Sequence, residues 1–215
     1  MKKFALAGAA ALAVAGVASA DFTEVTVMEM GTLIDGTTTY RVIANFDSPD
    51  DLVLAVSASA APLRWNGDGT ELVQNAPGLE NLAVQDVPFA ASGPGDSFVT
   101  IGGDLDAGSS DTAFSPGFLN PAFAGASVIN GSFFEQLENG GYFDSNPGTP
   151  ENGGAVVIAQ FTIATGETGV FEGTVDWQPA GGDLAANTFS VIVPAPGAIA
   201  LLGLAGLAGS RRRRG

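Results

Sequence analysis

The sequence predicts an all-β protein, a single β-sandwich of about eight strands. Short segments alternate between apolar and polar residues with a period of two, as strands with one buried face do. Groups of glycine and proline separate these segments, and no segment between the two ends has the period of an amphipathic helix. The pattern does not distinguish a jelly-roll from an immunoglobulin-like sandwich, so both architectures stay open.

The clearest strand runs from Phe171 to Trp177, where Phe171, Val175 and Trp177 fall on one face and polar side chains on the other. Two apolar runs without alternation, at 52–56 and 156–163, are typical of strands packed on both faces. The predicted strands are Val25–Met30, Tyr40–Phe46, Leu52–Val56, Leu82–Val87, Phe98–Ile101, Val156–Ile163, Phe171–Trp177 and Phe189–Val193.

Turn signals lie between these strands. Asp35-Gly36 predicts a hairpin between the first two strands, because glycine adopts the positive φ that tight hairpin turns need. Three further groups predict turns later in the chain: Asn66-Gly67-Asp68-Gly69, Gly93-Pro94-Gly95 and Gly181-Gly182-Asp183.

Residues 102–154 differ from the rest and predict a long excursion packed onto the sandwich. They are rich in glycine, proline, serine and asparagine, but they contain too many aromatic residues for a disordered segment. These aromatic residues are Phe114, Phe118, Phe123, Phe133, Phe134, Tyr142 and Phe143.

The chain begins with a pattern that predicts a signal peptide over residues 1–20. Two lysines precede an uncharged apolar run, which ends at Ala18-Ser19-Ala20. The lysines hold the N-terminus in the cytoplasm, and the small side chains of Ala18 and Ala20 fit the cleft of a signal peptidase. We expect cleavage before Asp21, so that the mature domain spans residues 21–193.

The other end carries a second predicted signal, over residues 194–215. A short motif, Val193-Pro194-Ala195-Pro196-Gly197, is followed by an uncharged apolar run over 198–209 and by the cluster Arg211, Arg212, Arg213 and Arg214. The run is shorter than the roughly 20 apolar residues of a full transmembrane helix. Because the arginines hold its end in the cytoplasm, we expect it to lie transiently in the inner membrane with residues 21–193 outside.

This second signal resembles the PEP-CTERM sorting signal of Gram-negative bacteria, which exosortases recognise. The resemblance covers only residues 193–215 and rests on the order of a Pro-x-Pro motif, a Leu- and Gly-rich run and an arginine cluster. The family has glutamate between the two prolines, whereas this chain has Ala195, as in glutamate-free variants of planctomycete-like bacteria. The resemblance implies an exosortase-like processing enzyme and delivery to the cell envelope, the cell surface or the extracellular matrix.

Between the two signals the chain is strongly acidic. Residues 21–193 contain all 23 acidic residues but only two basic ones, Arg41 and Arg64, which gives a formal charge of −21. Such a surface repels nucleic acid and attracts divalent cations. We therefore expect no nucleic-acid partner. The expected partners are signal peptidase, the exosortase-like enzyme and the inner membrane, with extracellular polysaccharide as a further candidate.

The residue types of the mature span exclude most catalytic chemistry. The chain has no cysteine and no histidine, and residues 21–193 contain no lysine. This removes serine nucleophiles that depend on a histidine or lysine base, and most transition-metal sites. Two carboxylates suffice for glycoside hydrolysis, but accidental pairs are common among so many acids. We assign no catalytic residue and predict that the protein is not an enzyme.

Asp104, Asp106 and Asp111 form a candidate calcium site. Their carboxylates, a glycine at position 108 that permits a sharp bend, and backbone carbonyl oxygens are ligands that Ca²⁺ accepts. The segment lacks the full EF-hand pattern, so an acidic turn without any cofactor is the default interpretation.

Three further expectations concern exposure. Trp177 belongs in the core, because it lies on the apolar face of its strand, whereas Trp65 beside a predicted turn is expected to be exposed. Asp50 and Asp51 are expected to be solvated turn residues.

The leading hypothesis is an exported, non-catalytic envelope or extracellular-matrix protein. The alternative is a secreted carbohydrate- or calcium-binding β-sandwich module.

Overall fold

The structure is a computed structural model. It describes residues 21–73, 95, 97–102, 112–115, 128–131, 135–136, 140–146 and 154–193. Within these ranges the chain is all-β, and two antiparallel sheets pack together as a β-sandwich. The predicted fold class is therefore confirmed.

Twelve strands are described, and seven of them have six residues or more. The long strands are β1 (Phe22–Gly31), β2 (Thr37–Phe46), β3 (Leu52–Ser57), β4 (Leu63–Val73), β10 (Ala155–Ala164), β11 (Gly169–Gln178) and β12 (Ala185–Val193). The short strands are β5 (Phe98–Val99), β6 (Thr112–Phe114), β7 (Val128–Gly131), β8 (Glu135–Gln136) and β9 (Gly141–Asp144). Seven of the eight predicted strands coincide with described ones, and the eighth, Leu82–Val87, lies outside the described residues.

The first sheet is built around β10. One edge of β10 pairs with β2 along its whole length, and β2 pairs in turn with β1. The other edge pairs with β5 and with the last part of β4. The central position of β10 explains its burial on both faces, which its uninterrupted apolar sequence predicts.

The second sheet is built around β11. One edge of β11 pairs with β12, and the other pairs with β3 and with the first part of β4, which follow each other along it. Beyond β3 the sheet continues through β9 to β6. Four short strands of the predicted excursion, β6 to β9, therefore extend or flank the two sheets.

The sequence pattern missed β4. The turn predicted at residues 66–69 is wrong, because these residues lie inside this strand. In the second sheet Trp65 of β4 lies opposite Phe171, whereas in the first sheet Leu72 lies opposite Ile163. The glycine-rich segment thus marks the place where one strand crosses between sheets. The absence of a Cβ on glycine makes such a sharp bend sterically possible.

Two turns are found where the sequence predicts them. The β1–β2 hairpin turns at Gly36, which has φ +79°, and the Thr37 N–H donates to the Ile34 carbonyl at 3.1 Å. The β11–β12 hairpin turns at Gly181, which has φ +70°. In both cases a residue with a Cβ would be strained in the left-handed region.

Aromatic side chains join the two sheets across the core. Trp65, Phe161, Phe171 and Phe189 form a continuous group, with successive ring centroids 4.3, 5.2 and 5.0 Å apart. Trp65 is 0% exposed, so the expectation that it is exposed is wrong. The reason is β4, which places Trp65 at an inward-facing position instead of beside a turn.

Candidate functional site

Only two of the predicted signal residues lie within the described ranges, Asp21 and Val193, one at each end of the sandwich. The others lie outside these ranges: Ala18, Ala20, Pro194, Ala195, Pro196, Gly197, Arg211, Arg212, Arg213 and Arg214. The same holds for the candidate calcium ligands Asp104, Asp106 and Asp111.

Two hydrogen bonds join Asp21 and Asp47, one donated by the backbone N–H of each residue. The Asp21 N–H donates to Asp47 Oδ1 at 2.7 Å, and the Asp47 N–H donates to the Asp21 carbonyl oxygen at 3.2 Å. Asp21 directly precedes β1 and Asp47 directly follows β2, so the two bonds close the open end of this hairpin. The adjacent Phe22 and Phe46 rings meet edge-on, with centroids 5.7 Å apart. We call Asp21 and Asp47, with these two bonds, the N-terminal clamp.

Val193 is the other predicted signal residue that the structure describes. It is the last residue of β12, it lies opposite Gly169 of β11, and its side chain is 0% exposed. The space above Gly169 is filled by the Trp65 indole, so a Cβ at that position would overlap the ring. The first residue of the predicted sorting motif is therefore also a core residue of the fold.

The two boundaries lie at opposite ends of the sandwich. Phe46, beside the N-terminal clamp, packs on Trp177 with ring centroids 5.3 Å apart, whereas Val193 pairs with Gly169. Trp177 and Gly169 are eight residues apart on β11, which corresponds to about 26 Å of extended strand. Asp21 and Val193 therefore lie at opposite ends of the described domain.

Asp176 lies on the outer face of the second sheet, where its carboxylate is hydrogen-bonded to two serines. It accepts hydrogen bonds from the hydroxyls of Ser57 and of Ser59, the latter at 3.0 Å. Beside it lies an open depression of about 300 Å³, where the Leu184 side chain is 73% exposed. The depression is lined by Leu54, Asp176, Trp177, Leu184, Ala185 and Ala186.

Neither tryptophan offers an exposed ring beside this depression. Trp177 is 4% exposed, as its position on the apolar face predicts, and its Nε1–H donates to Asn187 Oδ1 at 2.8 Å. Trp65 is fully buried. These two tryptophans therefore do not form a sugar platform, which needs an exposed ring.

Both arginines of residues 21–193 have acceptors. Arg64 of β4 pairs with Glu172 of β11 across the second sheet. Arg41 Nε donates to Gln160 Oε1 at 3.3 Å in the first sheet. Each contact therefore links two neighbouring strands of one sheet.

Asp51 is buried, although the sequence predicts that it is exposed to solvent. Asp50 is exposed as expected, but Asp51 is 0% exposed, so that expectation is wrong. The reason is the β11–β12 turn, which covers Asp51 and donates the Ala180 N–H to its Oδ1 at 3.2 Å. The local sequence gives no signal for this contact, because Asp51 and Ala180 are 129 positions apart.

Two buried tyrosines have strongly altered acidity. Burial raises the pKa of Tyr142 well above its usual value, and its hydroxyl donates to the Ile158 carbonyl at 2.7 Å. Burial and then the negative charge of Glu29 raise the pKa of Tyr40 to about 12, against a smaller opposing effect of the Thr38 hydroxyl. Both phenols are therefore neutral at every physiological pH.

The described ranges contain neither a group of acids that could hold a metal ion nor a helix that could span a membrane. No three acidic side chains in this part of the chain are grouped so that they could hold a metal ion. No helix in this part is long and apolar enough to cross a membrane, and the predicted membrane segment at 198–209 lies outside it.

No known protein family, curated protein or solved structure matches the chain.

Proposed function

We propose that the protein is an exported, non-catalytic component of the cell envelope or extracellular matrix, sorted by its C-terminal signal. In this proposal the delivered part is the sandwich between Asp21 and Val193. Signal peptidase removes residues 1–20, and an exosortase-like enzyme acts on residues 194–215 while the apolar segment lies in the inner membrane.

One observation carries the proposal: the described strands begin and end directly beside the two predicted signals. The strand β1 begins at Phe22, one residue after the predicted cleavage point. The strand β12 ends at Val193, one residue before Pro194. All twelve described strands lie between these two positions. Removal of residues 1–20 and 194–215 would therefore keep every described strand pair, including the pair of Val193 with Gly169.

The chemistry of the described residues supports a structural role. The carboxylates of Asp176, Asp51 and Glu172 accept hydrogen bonds or an ion pair from within the domain. Histidine and cysteine are missing from the whole chain. A strongly acidic sandwich of this kind stays soluble outside the cell through self-repulsion.

The test is to follow the full chain in exporting cells while the arginine cluster is changed. Replacing Arg211 to Arg214 with glutamine removes the charges that retain the apolar run, so unprocessed protein should pass the membrane and accumulate in the medium. Replacing the same four residues with lysine keeps the charges and serves as the matched control. Mass spectrometry of the recovered protein gives both termini.

Two outcomes contradict the proposal. If the glutamine variant has the same size and location as the parent, the C-terminal segment is not a sorting signal. If protein from the envelope or the medium still begins at Met1, residues 1–20 are not a cleaved signal peptide.

A further inference from the structure

The N-terminal clamp involves the nitrogen that signal-peptide removal would release. In the uncut chain this nitrogen belongs to the peptide bond between residues 20 and 21, and its N–H donates to Asp47 Oδ1 at 2.7 Å. Cleavage before Asp21 replaces this amide with an ammonium group at the same place. The acceptor, an exposed carboxylate, is then within ion-pair distance of a positive charge.

We propose that Asp47 is the binding site for the mature N-terminus, so that processing converts a neutral hydrogen bond into an ion pair and strengthens the closure of the β1–β2 hairpin. This inference rests on the proposed function, because it requires cleavage before Asp21. It assigns a role to Asp47 that neither the signal peptide nor the sandwich fold requires by itself.

The charges around this corner favour an ammonium group. Asp47 accepts the hydrogen bond from the Asp21 nitrogen, Asp21 carries a carboxylate of its own, and Asp50 and Asp51 follow in the loop after β2. The two arginines of residues 21–193 have acceptors elsewhere, Gln160 and Glu172. Within the described residues, the new ammonium therefore faces carboxylates in a span of charge −21.

The second hydrogen bond of the N-terminal clamp holds the Asp21 backbone beside Asp47. The Asp47 N–H donates to the Asp21 carbonyl oxygen at 3.2 Å, so the backbone of Asp21 is held independently of the charge. Held in this way, the ammonium loses little further freedom when it pairs with Asp47. Fixing two long, mobile side chains is the usual cost that makes exposed ion pairs weak, and this pair avoids it.

The amino-acid composition makes the proposal directly testable. Residues 21–215 contain no lysine, so a processed protein that starts at Asp21 has one primary amine, its N-terminus. Acetylation then removes one charge at one known atom and restores an amide like that of the precursor. The experiment uses processed protein purified from exporting cells, and mass spectrometry first checks that it begins at Asp21.

Thermal unfolding is compared before and after acetylation at pH 6 and low salt, in the parent and in Asp47→Asn. The parent should lose about 1–3 °C on acetylation, as expected for one well-placed surface pair in a domain of this size. Asp47→Asn keeps an oxygen that can accept the hydrogen bond, and its midpoint should hardly respond. Asp50→Asn removes the same charge from the same loop and should respond like the parent.

A second readout is the titration of the N-terminus itself. Reductive methylation with ¹³C-formaldehyde labels only this amine, which gives one NMR signal to follow against pH. The midpoint of this titration should be higher in the parent and in Asp50→Asn than in Asp47→Asn.

The outcomes separate the two proposals. If the protein begins at Asp21 but acetylation shifts the parent and Asp47→Asn equally, the ion pair is refuted and the export proposal stands. If the recovered protein begins at a residue near Asp21 but not at Asp21, the ion pair is refuted and the export proposal stands, whereas a start at Met1 refutes both.

Discussion

The Trp65 indole occupies the space where a side chain on Gly169 would lie. Trp65 is 0% exposed and stacks on Phe161 with ring centroids 4.3 Å apart, so the ring cannot move aside. Gly169 in turn pairs with Val193, the last residue of the sandwich. This close approach therefore determines how the C-terminal end of the domain packs.

We expect Gly169→Ala to destabilise the protein by about 1–3 kcal/mol, because the new Cβ overpacks a rigid ring. Gly173→Ala in the same strand is the matched control: its Cβ would meet the Leu63 Cδ1 methyl at 2.7 Å, and the end of a leucine can rotate away. Urea unfolding measures both. Trp65→Phe removes the overlapping ring atoms, so combining it with Gly169→Ala should cost less than the sum of the single changes. Additive costs would show that the ring is not the obstacle.

We expect Val193 to contribute to the stability of the fold and Pro194 to contribute to sorting. Val193→Ala removes two methyl groups from a fully buried side chain and should lower the free energy of unfolding by about 1–3 kcal/mol. Pro194→Ala lies beyond the last described strand, so it should leave the unfolding midpoint unchanged and alter the size of the exported product. Equal free energies of unfolding for the two variants would show that the Val193 side chain does not stabilise the core.

The two tyrosines predict a stability limit at alkaline pH. Each phenol has a higher pKa in the folded state than in the unfolded chain, where it is about 10, so folding favours the neutral form. Their contribution is complete below about pH 10 and is lost as the pH rises towards about 12, the pKa of Tyr40. The chain has only two tyrosines. Absorbance at 295 nm should therefore stay flat near pH 10 and rise together with the loss of circular dichroism.

A reversible phenol titration near pH 10 with an unchanged dichroism spectrum would contradict this prediction. The protein in 8 M urea supplies the reference curve for exposed tyrosines. Tyr142→Phe leaves Tyr40 as the single titrating phenol and separates the two contributions.

Calcium should raise the melting temperature if Asp104, Asp106 and Asp111 bind it. At 100 times the dissociation constant the gain is about 2.7 kcal/mol, because the ion binds only the folded state. Magnesium should substitute poorly, since it prefers a smaller octahedral site. Sodium chloride of matched ionic strength controls for screening of the acidic surface. If an Asp104→Asn, Asp106→Asn variant responds to calcium as the parent does, the calcium site is refuted and the segment is a solvated acidic turn.

Alternation was sufficient to predict most strands and the faces they bury. In β11 the apolar residues Phe171, Val175 and Trp177 are buried as expected. Thr174 was expected on the outer face but is also buried, because the segment between β3 and β4 crosses it. The N–H groups of Ala60 and Ala61 both donate to the Thr174 hydroxyl at 3.2 Å. A contact between such distant segments leaves no trace in local periodicity.

The sequence by itself determined the all-β class, seven of the described strands and the hairpin turns at Gly36 and Gly181, because these depend on neighbouring residues and on the conformational freedom of glycine. Only the tertiary structure decided that residues 66–69 continue a strand, that Trp65 and Asp51 are buried, and that Val193 belongs to the core. Each of these depends on a partner far away in the chain, such as Phe171 for Trp65 or Ala180 for Asp51. The identity of that partner is set by how the two sheets pack, which no local pattern encodes.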